Sequence, residues 1–303
     1  MLSKIKHIIK KLVNKNNFNN NNMVKIEKTI ENTKIKKYST LEIIGEGGHS
    51  IIKKIKDKEG NLFICKEFKY KDKRNANREY NILKKINKSN LFNPKDYPVL
   101  VDYISENEKI KVITEYDKNS EDLFDWVYKR KLSDKVVKEV FLEMVRLTNN
   151  LHEIGFIHLD IKLENFLIIK KNPIKLKMID FDMSHSFTNK KTTISRIIGT
   201  RGYSPIEFYN GFYSYKSDAW SLGVCLWVLL TGKKPFNHKN IERFSDKQLT
   251  NVLLESNIFK FPSLYHTGFK VDPNAFNLIE RLLVNDIDSR PELKEILQDK
   301  WFK

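Results

Sequence analysis

The sequence predicts an α+β fold in two lobes, a small β-rich one followed by a larger, mainly helical one. Three observations point there. Residues 41–116 alternate strand-like apolar runs with turns, and beyond residue 120 the apolar residues fall at helical spacing. Residues 218–232, DAWSLGVCLWVLLTG, are apolar nearly all round, as a helix buried on every side would be. The chain has 303 residues, 40% hydrophobic and 12% aromatic, which fills a sizeable core and excludes a wholly disordered protein.

The chain starts with a basic segment. Residues 1–40 hold ten Lys, no Arg and two Glu, so +8 of the formal net charge of +17 falls there. Such a field favours anionic partners, among them nucleic acid, acidic membrane and phosphorylated ligands. Within residues 1–15, Leu2, Ile5, Ile8, Ile9 and Leu12 lie at helical spacing and Lys4, Lys6, Lys10, Lys11 and Lys15 fill the other face. That pattern suits peripheral contact with a membrane surface or docking to a partner; the alternative is a short helix lying on the folded body or a frayed tail. Residues 14–22, NKNNFNNNN, bury too little to offset the entropy of ordering and are expected to be a linker. Phe18 is the one aromatic of residues 1–37, so stacking platforms are lacking and specific nucleic-acid binding is not expected. No run of 18 apolar residues predicts a spanning helix, and the first residues lack the pattern of a secretory signal. Cys65 and Cys225 stand in no metal-ligand spacing. They are expected to be buried small hydrophobes of a reducing, cytoplasmic compartment.

The folded body is expected from residue 38. Residues 41–57 and 61–70 form strands separated by the KEGN turn at 58–61. Residues 76–86 form a helix whose apolar residues are Tyr80, Ile82, Leu83 and Ile86, and residues 109–116 form a further strand. Residues 136–155 carry Val137, Phe141, Met144, Leu147 and Leu151 on one helical face and stop at Gly155.

Three segments carry chemistry. Gly45, Gly47 and Gly48 sit between the first two strands, followed by Ser50 and Ile52. Without a Cβ the backbone there can approach a phosphate closely, although a hairpin turn explains the same residues. Lys66 alternates onto the strand face of Ile64. A lysine turned inward is costly without an anion, and Glu79 on the next helix is its natural partner; a solvated lysine on an edge strand is the alternative. Asp160 and Asn165 follow a helix end in IHLDIKLENFL, and Asp180 lies in MIDFD. Each alone fits a solvated loop residue. Together they supply hard oxygen donors of the kind Mg²⁺ accepts alongside substrate phosphates.

In this order the segments resemble the eukaryotic-type protein kinases of the serine/threonine class, over residues 38–303. Gly45-x-Gly47-x-x-Ser50-x-Ile52 resembles the glycine-rich loop, Lys66 the strand-three lysine and Glu79 its helical partner. His158-Leu159-Asp160-x-Lys162-x-x-Asn165 is similar to the catalytic loop, and Asp180-Phe181-Asp182 to the magnesium-binding triplet. Pro205-Ile206-Glu207, Asp218-x-Trp220-Ser221-Leu222-Gly223 and Asp286-x-x-x-Arg290-Pro291 resemble later signatures of the larger lobe. The resemblance implies a bilobal kinase-like domain, with an N-lobe of about 38–115, a C-lobe of about 117–303 and residues 1–37 as a tail. It implies an enzyme that transfers the γ-phosphoryl group of ATP to a protein hydroxyl with Mg²⁺, or Mn²⁺ in its place. Asp160 would accept the substrate proton and Lys162 steady the γ-phosphate. Asn165 and Asp180 would hold the metal, and Lys66, set by Glu79, the α/β-phosphates. Gly45, Gly47, Ser50, Ile52, Ile64, Glu115, Tyr116 and Leu167 would bound the nucleotide, with Thr114 as gatekeeper. Glu207 should pair with Arg290, and Asp218 should brace the catalytic loop. Lys162 and Thr200 imply the serine/threonine preference. Asp122 and Glu164 stand where carboxylates favour basic residues near the target.

The chain departs from the pattern at several places. Leu159 replaces the Arg that normally receives an activation-loop phosphate, and Arg196 stands where the phosphorylated Thr commonly sits. These predict activity without activation-loop phosphorylation, although Thr192, Thr193 and Ser195 are nearby. Asp182 replaces a glycine where left-handed backbone is accommodated, which Asp tolerates better than most residues. Ile64 replaces a small Ala over the adenine. Ile64 and Asp182 also sustain a rival expectation, a pseudokinase acting as a binding scaffold.

Overall fold

A computed structural model describes residues 37–187, 192–193, 199–235, 244–255 and 271–303. The expected tail helix, the linker, Ser195 and Arg196 lie outside the described residues.

The strands Ser39–Glu46 (β1), Ser50–Lys56 (β2), Leu62–Lys69 (β3), Leu100–Glu106 (β4) and Lys109–Glu115 (β5) form one antiparallel sheet in the order β1-β2-β3-β5-β4. Because strand side chains alternate, β3 decides what enters the interlobe space. Ile64 and Lys66, opposite Thr114 and Val112 of β5, point to the cleft side. Cys65 turns the other way and packs with Ile55 and Ile113. The helix Lys73–Lys88 (α1) buries Ala76, Glu79, Ile82, Leu83 and Ile86 along one stripe. Glu79 shares that stripe, so the apolar packing of α1 on β4 and β5 carries a carboxylate inward with it.

Past the sheet come Glu121–Asp122 (β6), Leu123–Tyr128 (α2), Asp134–Glu153 (α3), Phe156–Ile157 (β7), Phe166–Lys171 (β8), Ile174–Met178 (β9), His185–Ser186 (β10) and Thr192–Thr193 (β11). Ile206–Tyr209 (α4), Phe212–Tyr213 (β12), Ser217–Thr231 (α5), Asp246–Glu255 (α6), Pro273–Leu282 (α7) and Leu293–Ile296 (α8) follow. Ser133 caps α3, its hydroxyl accepting from the Val136 N–H, and all five residues of the predicted face are buried. In α5 every residue but Leu230 is buried. Gly223 allows the closest approach, since a Cβ there would lie 2.7 Å from Leu282 Cβ on α7. No helix among the described residues is long and apolar enough to cross a membrane. Cys65 and Cys225 are unpaired, 2% and 0% exposed.

The second lobe is mainly helical as expected and also carries a three-stranded sheet, β6-β8-β9, and the short pairs β7–β10 and β11–β12. The β8 and β9 runs, FLIIKK and IKLKM, are too short to show a period of their own, and pairing with each other makes them strands. This sheet sets Leu167 into the cleft and places Asn165 immediately before β8.

Candidate active site

The cleft between the five-stranded sheet and the helical lobe encloses a cavity of about 310 Å³. Ile44, Ile52 and Ile64 form its wall on the sheet side and Leu167 the opposite wall, while Thr114, Glu115 and Tyr116 edge it where the lobes join. Lys66, Glu79, Asn165 and Asp180 stand in its polar part. An apolar slot ending in a few convergent charged groups is the form of a small-molecule site.

Three expected nucleotide contacts are not on this wall. Gly45, Gly47 and Ser50 lie outside it, and Gly47 and Ser50 border a separate small cavity with Glu67 and Lys109. The Gly47 N–H donates to the Ser50 carbonyl at 2.9 Å, closing the β1–β2 turn. Six wall residues, Ile44, Pro98, Asp117, Ser120, Lys177 and Ile179, were not among the expected site residues. Ile44 precedes the first glycine, and Lys177 is 8% exposed with Nζ 3.5 Å from Asp117. Lys177 faces Leu167 across the β8–β9 pair, a register that the assembled lobe sets.

Lys66 Nζ is the centre of the polar end. It lies 2.6 Å from Asp180 Oδ1, 2.9 Å from Glu79 Oε2 and 3.4 Å from Asp182 Oδ2. Glu79 Oε2 is fully buried, and the approach to Lys66 is close without being a well-directed hydrogen bond. Burial opposes the charged forms of Lys66 and Asp180. Their mutual attraction outweighs it, holding the ammonium above and the Asp180 carboxyl below their ordinary ranges. Burial and the neighbouring Asp180 push the Asp182 carboxyl up to about 7.

The catalytic-loop residues form a second group. Lys162 Nζ donates to Asp160 Oδ2 at 2.8 Å and to Thr200 Oγ at 2.9 Å, and the Thr200 hydroxyl donates to Asp160 Oδ1 at 2.6 Å. Burial works against charge on Lys162, but Asp160 wins and raises its pKa. Asn165 Nδ2 donates to the Asp160 carbonyl at 2.7 Å, which leaves Oδ1 as its ligating atom. Asp180 and Asn165 thus offer the carboxylate and amide oxygens a hard divalent cation takes, and the donor set fits magnesium. The loop is braced from beneath. Asp218, fully buried, accepts from the His158 and Leu159 N–H groups at 2.8 and 2.9 Å, with His152 Nε2 at 2.9 Å. Gly199, at φ +79°, packs so tightly that a Cβ would lie 2.8 Å from the Leu159 carbonyl oxygen.

Residues 38–302 match the family model of the protein kinase domain. The chain belongs to the protein kinase family. It is 27% identical to calcium-dependent protein kinase 4 of Plasmodium berghei (strain Anka), over 97% of this chain and 55% of that protein. It is 29% identical to calcium-dependent protein kinase 22 of Oryza sativa subsp. japonica, over 86% of this chain and 45% of that one. The probable serine/threonine-protein kinase CCRP1 of Zea mays is also 29% identical, over 92% and 43%. The chain spans about half the length of the curated relatives it matches.

Within this kinase domain the departures now have surroundings. Leu159 is 1% exposed and packs with Ile157, Phe208 and Tyr213, with half-buried Phe187 against them. An apolar plug therefore occupies the place of a phosphate-binding arginine. The expectation of left-handed backbone at Asp182 is corrected: the turn is taken at Asp180 (φ 66°) and, in the catalytic loop, at Leu159 (φ 65°). Asp182 is instead drawn inward, its carboxylate beside Lys66 and its carbonyl accepting from Arg78 Nη1 at 2.6 Å. Asp122 is committed to capping α2, accepting from the Asp125 N–H at 2.9 Å, whereas Glu164 lines the cleft. Glu207 and Arg290 pair bidentately at 2.6 and 2.9 Å and are almost wholly buried.

Proposed function

We propose that this chain is a serine/threonine kinase that transfers the γ-phosphoryl group of ATP, with Mg²⁺ or Mn²⁺, to a protein hydroxyl. The observation that carries it is the convergence of Lys66, Glu79, Asp180 and Asn165 at one end of an apolar slot, with the Asp160–Lys162–Thr200 triad just outside it.

In this account Ile52, Ile64 and Leu167 clasp the base. Lys66, held in place by Glu79, pairs with the α/β-phosphates. Asp180 and Asn165 hold the metal, which supplies neutralisation of the charge gathering on the transferred group. Asp160 Oδ1, released from the Thr200 hydroxyl, orients the substrate hydroxyl and accepts its proton. Lys162 lies against the same carboxylate and steadies the γ-phosphate. Catalysis is positioning and charge compensation, with no covalent step on the protein. With Lys66, Glu79, Asn165 and Asp180 in the slot and Asp160 beside it, a pure scaffold role has no geometric support. Asp122, which caps α2 through Oδ1 alone, and Glu164, at the cleft, are the carboxylates that would meet a basic substrate residue.

The domain works without activation-loop phosphorylation, because buried Leu159, packed with Ile157, Phe208 and Tyr213, stands where an arginine would receive that phosphate. The test is labelled γ-phosphoryl transfer from ATP to a basic protein. Label is expected on Ser and Thr, only with a divalent cation, and phosphatase pretreatment should leave the rate unchanged. Label on tyrosine would overturn the class, and a large loss after phosphatase would overturn the independence.

A further inference from the structure

We propose that Asp182 strengthens the binding of the divalent cation that accompanies the nucleotide, acting through its charge and not as a ligand. This rests on the nucleotide-and-metal reading of the cleft given above. Three carboxylates surround the one ammonium of Lys66: Asp180 at 2.6 Å, Glu79 at 2.9 Å and Asp182 at 3.4 Å. Counted as ionised side chains, Asp180, Glu79, Asp182 and Lys66 sum to −2, with the Arg78 guanidinium at the cluster's edge, donating to the Asp182 carbonyl at 2.6 Å. Buried charge of that order is costly unless a counter-charge arrives. A divalent cation at Asp180 supplies that counter-charge in full, whereas with glycine at 182 the cluster would carry only −1.

Two further observations bear on the cluster: one Glu79 oxygen lacks a directed donor, and Asp182 is fixed in place. Glu79 Oε2 is wholly buried yet has no well-directed donor. Asp182 cannot swing away freely, because its carbonyl is held by Arg78 from α1 and its side chain is 11% exposed. Asp182 does not border the cavity, while Asp180 and Asn165 do, so it acts on the metal from behind Lys66. By sharing Lys66 it leaves more of the Asp180 charge for the cation.

The experiment compares wild type, Asp182→Asn and Asp182→Gly. Mn²⁺ affinity in the presence of ADP is read from the paramagnetic resonance signal of free Mn²⁺, and ADP affinity is read by calorimetry with Mn²⁺ and with a chelator. Both variants are expected to bind Mn²⁺ about tenfold more weakly than wild type. In chelator the sign reverses: the variants bind ADP more tightly, because less negative charge faces the phosphates. A structural defect cannot produce that reversal. Mn²⁺ affinities within a factor of about two of wild type overturn the role of Asp182, as does ADP binding weakened both with and without metal. If wild type retains neither ADP nor Mn²⁺, the nucleotide reading itself fails and this role falls with it.

Discussion

Asp160→Asn is expected to lower kcat by about 10²–10⁴-fold while ATP affinity stays nearly unchanged. Asp160 accepts hydrogen bonds from Lys162 and Thr200 through its two carboxylate oxygens, at 2.8 and 2.6 Å. It does not border the nucleotide cavity. The Asn side chain keeps the shape but replaces one acceptor oxygen with a donor, so it can neither take a proton nor orient a hydroxyl in the same way. Asp218, the residue that braces the loop, is untouched, so the fold around the site should persist. Steady-state kinetics with calorimetric ATP binding separates the two effects. A matching loss of ATP affinity would place Asp160 in nucleotide binding instead.

The second large effect concerns stability. Arg290→Ala is expected to destabilise the domain by about 3–5 kcal/mol, because it leaves the Glu207 carboxylate buried without its cation. Arg290 is 1% exposed and also donates through Nε to the Val284 carbonyl at 2.9 Å, with its guanidinium over the Trp220 ring. Ser217 alone would then face Glu207, at 2.8 Å. At this size the change corresponds to a fall in Tm of roughly 10 °C. Replacing both partners with apolar residues, Arg290→Met with Glu207→Leu, should recover much of the loss, since the cost lies mainly in the unpaired charge. A single variant melting within about 1 °C of wild type would show that the pair adds nothing.

Much of the site was legible because its residues sit on elements with strong periods. Lys66 follows Ile64 by two in a strand, and Glu79 shares the helical stripe of Ala76, Ile82, Leu83 and Ile86. Those periods fix which way each side chain faces before any tertiary contact is known. The catalytic loop has no such period, and its residues were found by resemblance in order along the chain. What stayed hidden depended on contacts between distant segments. The turn at Asp180 and the inward swing of Asp182 follow from Lys66 and Arg78, over a hundred positions earlier. The short pairing of β8 with β9, which brings Lys177 to the wall, is likewise a property of the assembled lobe. The glycine-rich turn shows the opposite limit. Its composition marked a phosphate loop and a hairpin alike, and the Gly47–Ser50 hydrogen bond that closes the turn between β1 and β2 fits both.

The most direct measurement is a crystal structure of the chain with a non-hydrolysable ATP analogue and Mn²⁺, using anomalous scattering to locate the metal. The account predicts a manganese peak held by Asp180 and Asn165, the α/β-phosphates beside Lys66, and the base between Ile64 and Leu167. A nucleotide bound elsewhere, or Lys66 drawn away from both Glu79 and Asp180 with no metal between Asp180 and Asn165, would contradict it.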